Sequence, residues 1–416
     1  MAPAYNENVM NVEVTSHVSN KSSILSSVLH GIQDVRLEVR NITEPLVGEL
    51  QVQIKSTGIC GSDVSYYKKF ANGDLCACAP LSLGHEASGV VVGIGPQVNG
   101  FAIGDRVALE GRCKRGSIIQ PFGVTSMFSN SMMAISAKQL IDFSFRLPDH
   151  ISFDAAALLE PLSVAIHSVN RAAPTPGSTA VVIGAGAVGL LVAAMARQSG
   201  CPIVTITDIS ANRVQYALEH GFATHGYVIP PSSSNSSTPS STPSSGTSTP
   251  SLASGTTTPI SSYTTISDRL SSAKCTASEI LSISSPDDVL AEDDHEGADI
   301  TFECTGKEIC MQTAIYSTKP GGKVIMVGMG TPIQTLPLSA AHLREVDILG
   351  VFRYANTYPT GIRMLGASGK KGGLPSLDNM VTHRFKGLGN AKQAFELAGK
   401  TMDEHGDLIL KVVIEV

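Results

Sequence analysis

The 416-residue chain is 42% hydrophobic and 16% charged, and its formal charge is −6. A chain of this length exceeds one ordinary core, so two domains are expected. Its net acidity, with no basic cluster beyond Lys114-Arg115 and Lys370-Lys371, argues against a nucleic-acid partner, and no apolar run reaches the length of a membrane span.

Residues 1–22 are polar and lack a basic start followed by an apolar core, so they read as a disordered tail rather than a secretory signal. Eight cysteines without framework spacing suit a reducing, cytoplasmic setting. From 23 to 107 the text is β-rich, and the runs 35–39 and 50–54 alternate apolar and polar residues as half-buried strands do. Within this region Gly58-Ile59-Cys60-Gly61-Ser62-Asp63 carries a thiol, and Gly84-His85-Glu86 carries an imidazole beside a carboxylate. Those side chains are metal donors, with the carboxylate serving either as a ligand or as a group that holds one. Cys76-Ala77-Cys78 has a one-residue spacer, which is not zinc spacing, and reads as two thiols in a loop. Gly104-Asp105-Arg106-Val107 reads as a turn feeding a strand.

An apolar helix is expected over 155–171, and it contains Glu160-Pro161-Leu162-Ser163-Val164. The stretch 180–190 comes next, with Gly184, Gly186 and Gly189 set between a β-branched strand and a long apolar helix. This is the context a dinucleotide-binding turn requires: Gly184 turns, Gly186 admits the pyrophosphate and Gly189 lets helix and strand approach. Asp208 ends the next strand at the distance of a ribose-binding acid, which favours NAD over NADP. Ser, Thr and Pro dominate 230–262, a composition that cannot offset the entropy of ordering, and the weakly helical, then acidic run over 268–296 is assigned to the same insertion. Strands at 298–303 and 323–328 close a doubly wound sheet, and 408–416 is an apolar strand.

These linked motifs, together with Arg353-Tyr354, resemble the zinc-dependent medium-chain dehydrogenases, in particular the polyol branch of sorbitol, xylitol and L-arabinitol dehydrogenases. The resemblance covers about residues 24–110, 146–228 and 297–416. It implies an α/β architecture: a β-rich GroES-like catalytic domain over 23–162, a doubly wound Rossmann coenzyme domain over 163–350, and a return to the catalytic domain over 351–416. It also implies one catalytic zinc held by Cys60, His85 and a carboxylate, with Glu86 and Glu160 left unranked. Ser62 would start a proton path, while Tyr66, Glu160, Arg353 and Tyr354 would meet the substrate. Val188, Arg213, Val327, Gly328, Met329, Val351, Phe352 and Arg353 would join Gly184, Gly186, Gly189 and Asp208 around NAD.

The resemblance further implies a homo-oligomer, a tetramer in this branch. Two departures stand out. Many relatives carry four structural-zinc cysteines in the lobe at 111–145, where this chain has only Cys113, so no structural zinc is expected. Ser65 also stands where many relatives have a His. The activity implied is oxidation of a polyol to a ketose. The competing reading is a nucleotide-binding homologue whose altered lobe impairs catalysis, which would bind cofactor without turnover. A zinc-independent quinone reductase ranks last, since that branch lacks the Cys60/His85 pair.

Overall fold

The computed structural model describes residues 22–111, 136–230, 265–284, 297–370 and 372–416. The polar tail, most of the lobe at 111–145 and the Ser/Thr/Pro-rich stretch lie outside the described residues.

Two sheets organise the chain. The first has seven strands and runs, edge to edge, through Val381–Lys386, Lys411–Glu415, Glu49–Gly58, Glu86–Ile94, Arg106–Leu109 and Ser144–Arg146. Ser136–Leu140 also pairs with Glu49–Gly58. Strand Glu49–Gly58 alternates half-buried and buried residues, as the sequence predicts, and puts Leu50, Val52 and Ile54 in an apolar core. The last described strand, Lys411–Glu415, lies antiparallel to it, so segments distant in sequence share one sheet.

The second sheet has six parallel strands in the order His225–Val228, Ile203–Asp208, Thr179–Ile183, Ala298–Glu303, Thr318–Met326 and Asp347–Gly350. The strand order reverses beside Thr179–Ile183, which opens the crevice where such sheets receive ligands. Helix Ala187–Gln198 follows that strand and is almost wholly buried from Gly189 to Ala196. Its packing against the turn needs a missing side chain: a Cβ on Gly189 would lie 1.8 Å from the Gly184 carbonyl oxygen. Gly186 has nothing within 4 Å of such an atom. Gly189→Ala is therefore expected to cost about 1–3 kcal/mol by overpacking. Gly186→Ala should leave the thermal midpoint unchanged, and thermal melts of the two variants side by side check the contrast.

One segment differs from expectation. The run assigned to a single insertion contains helix Ile266–Ser284, which packs on helix Glu308–Ser317 and on strands Ile203–Asp208 and His225–Val228. Ala273, Ala277 and Ile280 are its buried residues, at the i, i+4, i+7 spacing of one helix face. The helix is part of the coenzyme layer.

Candidate metal centre and cofactor cleft

Cys60 stands immediately before helix Gly61–Lys69, in extended conformation, just past the end of strand Glu49–Gly58. His85 and Glu86 enter from the neighbouring strand Glu86–Ile94 and the loop before it. The Cys60 sulfur, a ring nitrogen of His85 and a carboxylate oxygen of Glu86 all lie within 4.8 Å of one another. His85 is 7% exposed and Glu86 fully buried.

Asp63 clamps the two loops together. One of its oxygens accepts from the Cys60 amide at 3.0 Å, and the other accepts from the Gly84 amide at 3.3 Å. That second oxygen also lies 3.5 Å from His85 Nδ1, so a buried carboxylate backs the imidazole, as commonly found behind ligating histidines. Burial opposes ionisation of Asp63, yet the His85 charge and these amides outweigh it and hold its pKa below the usual carboxylate value. Burial likewise works against a charged His85, but the neighbouring Asp63 and Cys60 carry its pKa well above the ordinary imidazole value in the metal-free site.

Glu86 faces Lys411 from the last strand. Lys411 Nζ donates to Oε1 at 2.6 Å and lies 2.5 Å from Oε2. The Oε2 contact is an ion pair without hydrogen-bond geometry, so that buried oxygen, like His85 Nδ1, is left without a hydrogen-bond partner. Strand Glu49–Gly58 leaves room for the carboxylate only because it ends in glycine: a Cβ on Gly58 would lie 2.2 Å from Glu86 Oε2. A sulfur, an imidazole and a buried carboxylate form a donor set that fits zinc.

Glu160 lies outside this tight cluster and lines the adjoining cleft from the first turn of helix Leu159–Ala172. Burial raises its pKa and the Glu86 charge adds to that, against His85, Arg353 and Lys411. Glu110 behaves similarly, pushed up to about 7 by burial and by Glu160.

The cleft has a volume of about 750 Å³ and runs between the two sheets. Cys60, Ser62, Tyr66, His85 and Glu160 line one side. Val188, Val327, Gly328, Met329, Val351, Phe352 and Arg353 line the other. Of the remaining expected cofactor residues, Asp208 sits at its strand end and accepts from the amides of Ala185 and Ser210 at 2.8 and 2.9 Å. Arg213 instead turns its guanidinium to the Ile409 carbonyl at 3.2 Å. Tyr354 is only 3% exposed and is not among the cleft-lining residues. Its ring packs on Tyr358, whose hydroxyl donates to the Leu109 carbonyl at 3.0 Å. The Ser65 hydroxyl donates to the Ala71 carbonyl at 2.8 Å, which ties the helix to the hairpin after it.

Sequence reasoning assigned no role to Asp63, Lys411 or Tyr358. The acidic residue three positions after Cys60 was a usable signal, since it sits where a capping box places one. The other two carried none.

Comparison with known proteins agrees with this geometry. Residues 47–141 match the alcohol dehydrogenase GroES-like domain family, and residues 266–367 match the zinc-binding dehydrogenase family. Sorbitol dehydrogenase of Bos taurus is 34% identical over 413 residues, covering 95% of this chain and 97% of that one. The Mus musculus sorbitol dehydrogenase is 35% identical over 393 residues, covering 91% and 94%. Among solved structures, 2R,3R-butanediol dehydrogenase from Bacillus subtilis superposes with a TM-score of 0.70 at 22% identity, over 95% of this chain and all of that one. L-idonate 5-dehydrogenase from Escherichia coli gives 0.69 at 20%, over 95% and 99%. These two share the fold. Identity of a third over nearly the full length, together with the two family matches, is decisive for kinship: the chain belongs to the medium-chain zinc dehydrogenase family.

Proposed function

We propose that the protein oxidises a secondary hydroxyl of a polyol of the sorbitol or xylitol type to a ketose, with NAD as hydride acceptor. The observation that carries this reading is the Cys60, His85 and Glu86 donor set, of which Cys60 and His85 line a cleft whose far wall is the nucleotide crevice of the parallel sheet. A zinc ion held by these residues would supply Lewis acidity toward the substrate hydroxyl. NAD, with its pyrophosphate at Gly184, Gly186 and Gly189, would supply the hydride acceptor.

The chain's own groups then divide the remaining work. Ser62 faces the cleft and is the first hydroxyl able to take the substrate proton toward solvent. Ser65 is engaged by the Ala71 carbonyl, so the path from Ser62 runs through water or ribose hydroxyls. Tyr66 forms an apolar wall with a polar tip, and Arg353 offers its guanidinium to the polyol's other hydroxyls. Arg353 has φ of 53°, a left-handed conformation that costs energy for a residue with a Cβ. Tyr354, buried against Tyr358 and away from the cleft lining, is given no contact with the substrate. Arg213, bonded across to Ile409, would join the cofactor's adenosine side only by leaving that carbonyl.

Seven described cysteines are all free, which supports a cytoplasmic setting, and no helix among the described residues is long and apolar enough to cross a membrane. A homo-tetramer remains part of the proposal by kinship alone.

The direct test is steady-state turnover of purified, metal-analysed protein on a series of polyols with NAD and NADP. No polyol oxidation by protein that holds zinc and binds NAD would overturn the reading. A second test concerns Asp208, whose two amide bonds leave the carboxylate oriented for ribose hydroxyls. Asp208→Ala is expected to weaken NAD by about 1–3 kcal/mol and to narrow the preference over NADP. Titration of both cofactors reads this, and unchanged affinities would exclude the role.

A further inference from the structure

Strands Ala298–Glu303 and Thr318–Met326 lie side by side and parallel, with Glu303 opposite Met326, so the loops that follow them leave the sheet together. Those loops meet backbone to backbone. A Cβ on Gly328 would lie 2.1 Å from the Gly306 amide nitrogen, and one on Gly330 would lie 2.4 Å from the Gly306 carbonyl oxygen. The Thr331 amide donates to that carbonyl at 3.0 Å. Residues 304–307 of the first loop and 327–331 of the second all line the cleft, whereas Gly184, Gly186 and Asp208 do not. The paired loops thus face the nicotinamide half of a bound dinucleotide, and its adenosine half lies elsewhere.

One residue holds both loops. The carbonyl of Glu303 accepts from the amides of Val327 and Gly328, each at 2.8 Å. Its carboxylate accepts from the Thr305 amide at 2.7 Å, from the Gly306 amide at 3.0 Å and from the Thr305 hydroxyl. Every bond the side chain makes is accepted, as an ionised carboxylate requires. Glu303 is 2% exposed, and no cation among the described residues offsets its charge. Burial raises its pKa above the ordinary carboxylate value, and only the Thr305 and Gly306 donors oppose that. A loop clamp needs an acceptor, which a neutral amide would supply. A buried charge without a counter-ion costs free energy and marks places where charge is used.

We propose that Glu303 is a positioning residue for the nicotinamide ring, fixing both loops of its wall and, through its unpaired charge, favouring the oxidised ring over the reduced one. The oxidised ring is cationic and the reduced ring neutral. A carboxylate separated from the cleft by the Thr305 and Gly306 that it bonds attracts the first and not the second. The protein then loads the coenzyme form that the proposed oxidation consumes and holds the product form less tightly. The ring's place rests on the NAD reading, and not on which alcohol is oxidised.

The test is equilibrium titration of zinc-loaded, full-length protein with oxidised NAD, NADH and ADP-ribose, which lacks the nicotinamide. Thr305 and Gly306 all donate to Oε1 of Glu303, so Glu303→Gln keeps these bonds with its amide oxygen in that place. It should weaken oxidised NAD about tenfold, the effect of one nearby charge in a partly polar interior, and leave NADH and ADP-ribose unchanged. Glu303→Asp keeps the charge on a shorter arm, so it should weaken both nicotinamide forms alike and spare ADP-ribose. Equal weakening of oxidised NAD and NADH by Glu303→Gln would overturn the part given to the charge. Unchanged affinities in Glu303→Asp would overturn the positioning, and so would a loss of ADP-ribose in either variant, which marks a general defect of the domain. Should Glu303→Gln not fold, Glu303→Asp carries the test, because a changed ratio of the two nicotinamide affinities with the charge retained sinks the inference. Wild-type protein that binds ADP-ribose but neither nicotinamide form would overturn this subsite with the dinucleotide crevice intact. Wild-type protein that binds none of the three would overturn the NAD reading and the role of Glu303 with it.

Discussion

Lys411→Ala is expected to destabilise the metal-free protein by about 3–5 kcal/mol, because removing one partner of a buried ion pair leaves the other charge uncompensated. Lys411 is 4% exposed and Glu86 not at all, and no other cation bonds that carboxylate among the described residues. Burial works to lower the Lys411 pKa, but Glu86, with help from Cys60 and Glu160, keeps it above the ordinary lysine value. The substitution therefore removes a true cation. A zinc ion beside Glu86 would replace part of the lost positive charge, so the deficit should shrink in metal-loaded protein. Urea unfolding with and without a chelator measures both values. The double variant Glu86→Gln/Lys411→Met, which removes both charges, should be less damaged than Lys411→Ala alone. Equal loss in single and double variants would show that the lysine acts by packing.

Cys60→Ala is expected to bring the zinc content close to zero and turnover with it, while the fold persists. Two donors remain where a tetrahedral site needs three and an open position. The comparison variant is Asp63→Asn, which keeps every candidate ligand but weakens the charge behind His85 and the clamp on the two loops. Loss of such an outer partner costs about 10–100-fold in metal affinity, so Asp63→Asn should bind zinc weakly where Cys60→Ala binds almost none. Metal analysis after dialysis against graded chelator distinguishes the two. Full zinc content in Cys60→Ala would remove the thiol from the ligand set.

Much of this arrangement is legible in the residues themselves. The Gly184, Gly186 and Gly189 spacing carries its own steric reason, and the loops of Cys60 and His85 carry recognisable donors beside glycines. Lys411 could not be read, because nothing local marks it as buried at the start of its strand and its partner lies 325 residues away. Tyr354 misled for a related reason: being next to Arg353 in sequence says nothing about depth, and the helix at Tyr358–Gly366 draws its ring inward against Tyr358. The helix at Ile266–Ser284 was legible only as a weakly helical run, and its place in the coenzyme layer was hidden by composition. Only three of its described residues are fully buried, two of them alanines, so its apolar face is too thin to stand out from a Ser-rich neighbourhood.

The pairing of strand Lys411–Glu415 with Glu49–Gly58 also bears on biosynthesis. A chain made from its N-terminus presents Cys60, His85 and Glu86 long before the strand that covers them exists. Until that strand arrives, residues 56–58 have an open edge on that side and Glu86 has no lysine. Contacts so distant in sequence form late, and the unfinished edge is a surface on which chains associate wrongly. Maturation of the metal centre thus waits on synthesis of strand Lys411–Glu415, and the nascent catalytic half depends on being shielded until then.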